Sequence, residues 1–574
     1  MTAIGIDFGT TNSVVAAYGA GGVDVLPIDH PASGWEGLGF EKVLPSVLGV
    51  GTDREATFGW AAKTQAGNKL EAVKRLFATE DSVRIGGDEY SVEMAAALLF
   101  GRLKQGAEAA GAPLDSAVVT VPANSRGLAR FRTKLCAGLA GIDVRALINE
   151  PTAAAMAHSI SATDDQNILI FDWGGGTLDV TVLETVAGVF IERASKGIQR
   201  SGGLDLDNLF AAAILGQVAG HEAWSETDRA IFRSNVERAK ILLSSNPTTV
   251  LQLPAGGGMR ELDRGLFEGA VRAKIEETRA PIDQCLRDLR IDAGRIDHVV
   301  LVGGSSKIPA VRQFVSEVLG KEPAEGADPM TAVAEGAAIA SAILSEELDA
   351  DFFVATEHAL GTISVDDRGS EGFSVLIGRN HNLPAKAEGS YRPAVGGQDS
   401  VRVRVIEGDP EVGIEHEDNV ILKEWEVDVD PTRPHDASGF TITYEYDVDG
   451  ILHVTVRDDL TGDVMLKDDL SFGVSRDKSS LVDLAKSVRA TMSGSPLGTG
   501  AGAALGGATA TATLDPAVAA ILEKVRTRIV PFVDDDEAKR LEAMCADLER
   551  ATGSEADAPR VALEAEARKY AYLF

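Results

Sequence analysis

Ile4-Gly5-Ile6-Asp7-Phe8-Gly9-Thr10-Thr11-Asn12-Ser13 returns in altered form as Ile168-Leu169-Ile170-Phe171-Asp172-Trp173-Gly174-Gly175-Gly176-Thr177-Leu178-Asp179. Each copy is an apolar run, an Asp, a Gly/Thr-rich turn and a second apolar run, which predicts a buried strand, a tight turn and a return strand. Glycines let the backbone approach a phosphate so that main-chain N–H groups point at its oxygens. Thr10, Thr11 and Thr177 add hydroxyl donors. Asp7 and Asp172 stand where a hydrated divalent cation bridges carboxylate and phosphate. One such turn is weak evidence; two with Asp and Thr at matching offsets predict two similar lobes holding one nucleotide between them.

With 574 residues the chain exceeds a single core and is expected to hold several domains. Hydrophobic residues at 44% and charged residues at 25% place it among ordinary folded proteins. A net charge of −32 argues against a general binder of nucleic acid or anionic membrane, since both would repel it. Cys136, Cys285 and Cys545 are far apart and carry no metal-ligand spacing, so reduced thiols are expected. Met1-Thr2-Ala3 leads straight into the first strand, and no 18-residue apolar run occurs. These features predict no membrane span and a cytoplasmic protein.

Strand and helix patterns alternate through residues 1–345, as in an α/β domain. Ala117–Val121 reads as a strand ended by Pro122, and Asn124–Ala140 as a helix. Val299–Val302 reads as a strand before Gly303-Gly304-Ser305-Ser306; a helix over Pro309–Leu319 carries Pro at its start and Gly320 past its end. Residues 346–356, with Phe352-Phe353-Val354, suit a linker. Period-two runs over 357–475, such as Ser400–Val405 and Phe440–Tyr446, predict an all-β sandwich. The remainder, 476–574, reads as helical, with a low-complexity Gly/Ala stretch at 493–513 expected to be flexible and helices near Asp515–Pro531, Asp535–Ala551 and Ala558–Leu573.

These residues carry a resemblance. The two hairpins, Val121-Pro122-Ala123, Ile148-Asn149-Glu150-Pro151-Thr152-Ala153-Ala154-Ala155 and Leu301-Val302-Gly303-Gly304-Ser305-Ser306-Lys307-Ile308-Pro309 stand in the order of the DnaK-type, seventy-kilodalton heat-shock chaperones. Asp449-Gly450-Ile451-Leu452-His453-Val454 is similar to that family's β-domain signature. The chain resembles a divergent member. The resemblance implies a two-lobed, actin-like α/β ATPase domain, then a linker, a peptide-binding β sandwich and a short helical lid.

Carried over residue by residue, the resemblance implies ATP or ADP with Mg²⁺, and K⁺ beside it, held through Asp7 and Asp172. Gly9, Thr10, Thr11 and Asn12 would form one phosphate hairpin, and Gly174, Gly175, Gly176 and Thr177 the other. Lys74 would approach the γ-phosphate, and Glu150, with Thr177, would position metal or attacking water. Pro122 and Arg130 would relay the nucleotide state. Glu237, Lys240 and Ser244 would border the adenosine, with Gly202, Gly203, Gly303, Gly304 and Ser305 on the other walls and Lys307 at the adenine. Phosphoryl transfer to water is mostly positioning and charge neutralisation, which suits this set. Read without the family, Lys74 is an ordinary surface lysine, and Glu237 and Lys240 an exposed i,i+3 pair.

The chain departs from the family at its output. Lys307 replaces an arginine and loses planar stacking. The segments flanking Lys74 and near Leu253–Gly265 are short, and Ala146 replaces an arginine beside Arg145, so docking surfaces for exchange factors and J-domain cochaperones are altered. Asp366-Asp367-Arg368-Gly369-Ser370-Glu371-Gly372 replaces an apolar arch, and charges there would oppose an apolar peptide. Val401 and Val403 stand at the family's pocket floor, where strand alternation alone would also place valines. Three functions compete: an ATP-driven chaperone with atypical choice of polypeptide client, a nucleotide-switched module for one dedicated partner, and a filament protein, which has no use for the β domain.

Overall fold

In the computed structural model, residues 3–567 are described except 66, 78, 124, 126, 159–164, 187–188, 199, 349–355, 357, 366–368, 380, 382–383, 417–418, 447–451, 471–477, 498–517, 519–520, 523–524, 527–528, 531–532, 534 and 552–556. The expected linker motif Phe352-Phe353-Val354, the arch residues Asp366-Asp367-Arg368 and nearly all of the Gly/Ala stretch lie outside the described residues.

The first repeat forms the strands Ala3–Phe8 and Asn12–Gly19, paired antiparallel. Ser116–Val121 runs parallel beside the first, and Asp143–Asn149 parallel beside that. The second repeat forms Gln166–Trp173 and Leu178–Val186, again antiparallel, with His298–Val302 parallel on the other side. The same plan thus occurs twice. Continuous β-branched runs such as Ala117–Val121 mark strands buried on both faces.

Two short-side-chain helices, Glu150–Ala157 and Ala332–Leu344, pack with residues of both sheets in one core that includes Val118, Ile148, Ile168, Ile170, Val300 and Val302. Their Ala/Gly composition is a packing requirement. A Cβ at Gly5 would run into the backbone of Ala337 and Ala338, and one at Gly336 into that of Ala153. Helix Pro309–Leu319 begins with proline and ends at Gly320 in the left-handed region, φ 63°, as its sequence predicts.

Residues 359–470 form two four-stranded sheets. One holds Glu371–Ile377, Ala359–Val365, Ser400–Gly408 and Val420–Asp428; the other Ala385–Tyr391, Phe440–Tyr446, Leu452–Asp458 and Val464–Leu470. Val401, Val403, Val405, Ile442, Val454 and Val456 share the core between them, and the buried Tyr444 hydroxyl donates to the Gly361 carbonyl at 2.9 Å. Leu128 and Phe131 of helix Gly127–Leu139 pack against this core, joining the sandwich to the first α/β sheet.

Helix Lys478–Met492 lies on helix Val92–Ala109, with Leu484, Val488 and Leu497 entering the first lobe's core. Of the segment expected at Asp515–Pro531, scattered residues are described, and Val518, Leu522, Val525 and Ile529 form a separate core with the helices Asp535–Arg550 and Asp557–Ala567. The last helix is described to Ala567, short of the expected Leu573. No described helix is long and apolar enough to cross a membrane.

Candidate functional site

Both Gly/Thr turns meet at one cavity of about 100 Å³. Gly9, Thr10, Thr11 and Asn12 line it from one side and Gly174, Gly175, Gly176 and Thr177 from the other, with Asp7, Lys74, Pro122, Glu150, Asp172, Gly303 and Gly304 between. The turns touch: a Cβ at Gly175 would strike the Thr11 side chain, and one at Gly176 the methyl of Thr10 and the guanidinium of Arg75. Glycine is required here by close approach.

Lys74 Nζ donates to Glu150 Oε1 at 2.7 Å, and both side chains are nearly buried. Burial opposes the ammonium charge, but Glu150, Asp7 and Asp172 hold its pKa above the usual value. Asp7 is pushed up to about 7, first by burial and then by Glu150, against Lys74 and a hydrogen bond from Thr120. Burial, then Glu150, Asp179 and Asp7, push Asp172 well above the carboxylate range. Three acids therefore face one lysine. Such an excess of buried negative charge suits a divalent cation. The buried Thr11 Oγ1 and Asn12 Oδ1 have no protein partner, as donors and acceptors meant for a ligand would. Among the described residues no three His, Cys, Asp or Glu side chains are gathered closely enough to chelate an ion by themselves. A cation here would be held largely through water and phosphate oxygens, the habit of Mg²⁺.

A larger cavity of about 660 Å³ adjoins this one, sharing Thr11, Asn12, Gly175, Gly304 and Met330. Gly203, Glu237, Lys240, Ser244, Ser305 and Lys307 line it, as expected for a nucleoside site. Ser305 Oγ ties its wall to the phosphate turn through the Gly174 carbonyl, 2.9 Å. Gly202 is not a wall. It lies behind the turn, where a Cβ would meet the Gly175 backbone.

One reading of this region is corrected. Glu237 and Lys240 are not an exposed i,i+3 pair: Glu237 pairs with Lys63 across the cleft at 2.7 Å, and Lys240 with Asp207 at 2.8 Å. Lys307 lines the cavity, but its ammonium is engaged by Asp328 at 2.8 Å.

Pro122 sits in the wall of the phosphate cavity, and Arg130 Nη1 donates to Asn149 Oδ1 at 3.2 Å, one residue from Glu150. Asn149 Nδ2 donates to Glu192 Oε2 at 3.1 Å, and Arg379 of the sandwich approaches Glu192 at 3.9 Å. Burial pushes Glu192 up to about 6, against Arg379, the Asn149 hydrogen bond and Arg130. A polar chain thus runs from the sandwich to the residue beside Glu150.

Sequence reasoning missed several participants. Arg75 donates to the Gly176 carbonyl and lies 3.9 Å from Asp205, so the residue after Lys74 clasps the opposite turn. Leu38, Phe40, His158 and Met330 also line the large cavity. Only adjacency to a motif signals Arg75 and Asp207; Leu38 and Phe40 carry no local signal. Arg145, beside Ala146, is taken up by Leu344 O and the Ser345 hydroxyl. Glu371, expected in a charged arch over a peptide, instead begins a strand opposite Val365 and pairs with Arg404.

The family model for Hsp70 protein matches residues 77–467. The chain is 34% identical over 482 residues to the chaperone protein DnaK of Methanothermobacter thermautotrophicus, covering 80% of this chain and 78% of that protein. It is 34% identical over 473 residues to the DnaK of Cenarchaeum symbiosum, covering 79% and 71%, and 33% identical over 480 residues to that of Thermosipho melanesiensis, covering 80% and 78%.

Proposed function

The chain belongs to the Hsp70 family of ATPase chaperones, and from that membership we propose that it hydrolyses ATP to ADP to control binding and release of polypeptide segments by its β sandwich. The observation that carries the reading is the convergence of two Asp-containing Gly/Thr turns on one cavity that opens onto a nucleoside-sized space. Residues 1–345 are assigned to the actin-like ATPase domain, 346–356 to the linker, 357–475 to the substrate domain and 476–574 to a lid-like region.

In this reading the backbone amides of Gly9–Thr11 and Gly174–Thr177 cradle the phosphates. Asp7 and Asp172 would hold Mg²⁺, largely through water, with K⁺ as a second cation, and a bound metal would neutralise phosphate charge. Lys74 carries positive charge toward the γ-phosphate. Glu150, held by Lys74, orients the attacking water and has Thr177 across the cavity. Glu237, Lys240 and Ser244, with Ser305 and Lys307, bound the adenosine. Turnover is expected to be slow, because Glu150 is engaged by Lys74 and no residue at the site offers a strong general base. Arg130 and Pro122 pass the state of the site through Asn149 and Glu192 to Arg379. The protein works in the cytoplasm, with J-domain and exchange partners as cochaperones on altered surfaces. Phosphate release assayed with and without Mg²⁺ tests the ATPase; Mg²⁺-independent or absent release would refute it.

A second reading, one dedicated polar partner, is favoured by the charged sequence Asp366-Asp367-Arg368 in place of an apolar arch, since such charges would oppose an apolar peptide. Anisotropy with a leucine-rich and a lysine-rich labelled peptide in ADP separates the two. Tight binding of the leucine-rich peptide leaves an ordinary chaperone; preference for the lysine-rich one identifies a specialised switch.

A further inference from the structure

Between the strand Gly22–Val25 and the short strand Leu44–Pro45 the first lobe carries a loop, residues 29–43. Both its ends are anchored. At the start, Asp29 accepts from the Trp60 N–H at 2.9 Å and from Arg102 Nη2 at 3.1 Å. At the end, Leu44 and Pro45 pair with Ser13 and Asn12. The next residue, Ser46, donates from its hydroxyl to the Gly9 carbonyl and from its N–H to the Thr11 carbonyl, each at 2.8 Å, so the loop finishes on the first phosphate turn. Between the anchors Gly37 and Gly39 have φ of 73° and 83°, a backbone that glycine adopts without strain and that folds the loop back on itself.

The loop closes over an aromatic triad. Trp35, Phe40 and Trp60 are buried, with ring centroids 5.9 Å apart for Trp35–Phe40, 4.9 Å for Trp35–Trp60 and 5.8 Å for Phe40–Trp60. Two residues from across the cleft, Ile241 of helix Glu226–Ser245 and Met330, pack against the same cluster. Arg238 of that helix comes so near the loop that a Cβ at Gly34 would stand 3.0 Å from its Nη1. Leu38, Phe40, Ile241 and Met330 also line the nucleoside cavity, which therefore has an apolar surface beside the polar one of Glu237, Lys240 and Ser305. The basic side chains on its wall are already engaged, Lys240 by Asp207, Lys307 by Asp328 and Arg312 by the Pro323 carbonyl. Covering the face of a flat heterocycle is thus left to the apolar side chains, which gain by excluding water from it.

We propose that residues 29–43 form an apolar clasp on the purine base, with Leu38 and Phe40 from the loop and Ile241 and Met330 from across the cleft covering the base of a bound nucleotide. The inference rests on the nucleotide reading above and extends it to a loop that no motif marks. Calorimetry with Mg²⁺ on the full chain compares the parent, Phe40→Ala and Leu38→Ser, titrated with ADP and, separately, with inorganic tripolyphosphate, which has no base. ADP is expected to bind about tenfold more weakly in each variant, equivalent to about 1.4 kcal/mol, while tripolyphosphate stays within about twofold. Leu38 is only half-buried, at the edge of the cluster, so its variant decides the matter where loss of Phe40 disrupts the triad. Hydrogen exchange is the second readout: in the parent, the amides of 34–43 and 236–245 gain protection with ADP and not with tripolyphosphate. Unchanged ADP affinity in both variants, an equal loss for both ligands, or no ADP protection over 34–43 each overturns the clasp and leaves the nucleotide reading standing. A parent that binds neither ligand refutes the nucleotide reading, and the clasp falls with it.

Discussion

Lys74→Ala separates the structural and chemical roles of the cleft. Lys74 and Glu150 are 10% and 13% exposed and meet at 2.7 Å, with Asp7 and Asp172 as the lysine's other charge partners. Deleting the ammonium leaves three acids without the lysine that offsets them. Removing one partner of a buried pair costs about 3–5 kcal/mol. For a lobe of this size that corresponds to a fall in melting temperature of about 6–20 °C. Hydrolysis loses one preorganised positive charge, an effect of about 10²–10³ in rate. The proposed adenosine contacts, Glu237, Lys240 and Ser305, line the larger cavity and Lys74 the smaller one, so ADP affinity is expected to stay within about threefold, below about 1 kcal/mol. Adding Glu150→Gln to Lys74→Ala removes the stranded charge, so stability recovers in part while turnover does not. Mg²⁺ is expected to raise the melting temperature of Lys74→Ala more than that of the parent. Single-turnover hydrolysis, ADP titration and thermal melts with Mg²⁺ or chelator measure each quantity. Parent-level hydrolysis by Lys74→Ala would refute the assignment, and an unchanged melting temperature would refute the charge argument.

Glu192 titrates near 6 in the folded chain against an ordinary 4.5. Its raised value means that the associated stability is complete below about pH 4.5 and is lost as pH rises through 6, about 2 kcal/mol in all. Glu192→Gln is therefore expected to be more stable than the parent at pH 8 and no better at pH 4.5; equal changes at both pH values in thermal melts would sink the assignment. Limited proteolysis within 346–356 is expected to be slower in ATP than in ADP, because closure on a γ-phosphate would draw the proposed linker onto the ATPase domain; identical cutting means uncoupled domains. Lys307→Arg restores a planar guanidinium at the nucleoside wall, and calorimetry should register ADP binding about two- to fivefold tighter, the worth of one exposed cation–π contact. Unchanged affinity there would show that Asp328 holds either side chain away from the base.

The parts of the site that the sequence made legible are those whose chemistry is local. A turn of Gly9-Thr10-Thr11 can approach a phosphate because of what its own atoms allow, and the strands on either side are set by their own β-branched runs. Side chains whose role depends on where a distant element docks give no such signal. Glu237 and Lys240 share a helix face, so their spacing invites pairing with each other; yet Lys63 and Asp207 lie closer in space and take both charges. Glu371 sits in a charged run that reads as an arch over a peptide, whereas the pairing of Glu371–Ile377 with Ala359–Val365 brings it to Arg404. The Arg379–Glu192 contact spans 187 positions and the Arg200–Val530 bond 330, and each needs two units to be docked before it exists. Local chemistry therefore identifies what the cleft holds, whereas contacts between distant segments are fixed by docking. That division is why the engine could be read from motifs while the chain from Arg379 to Asn149, and the bond from Arg200 to Val530, became visible only in three dimensions.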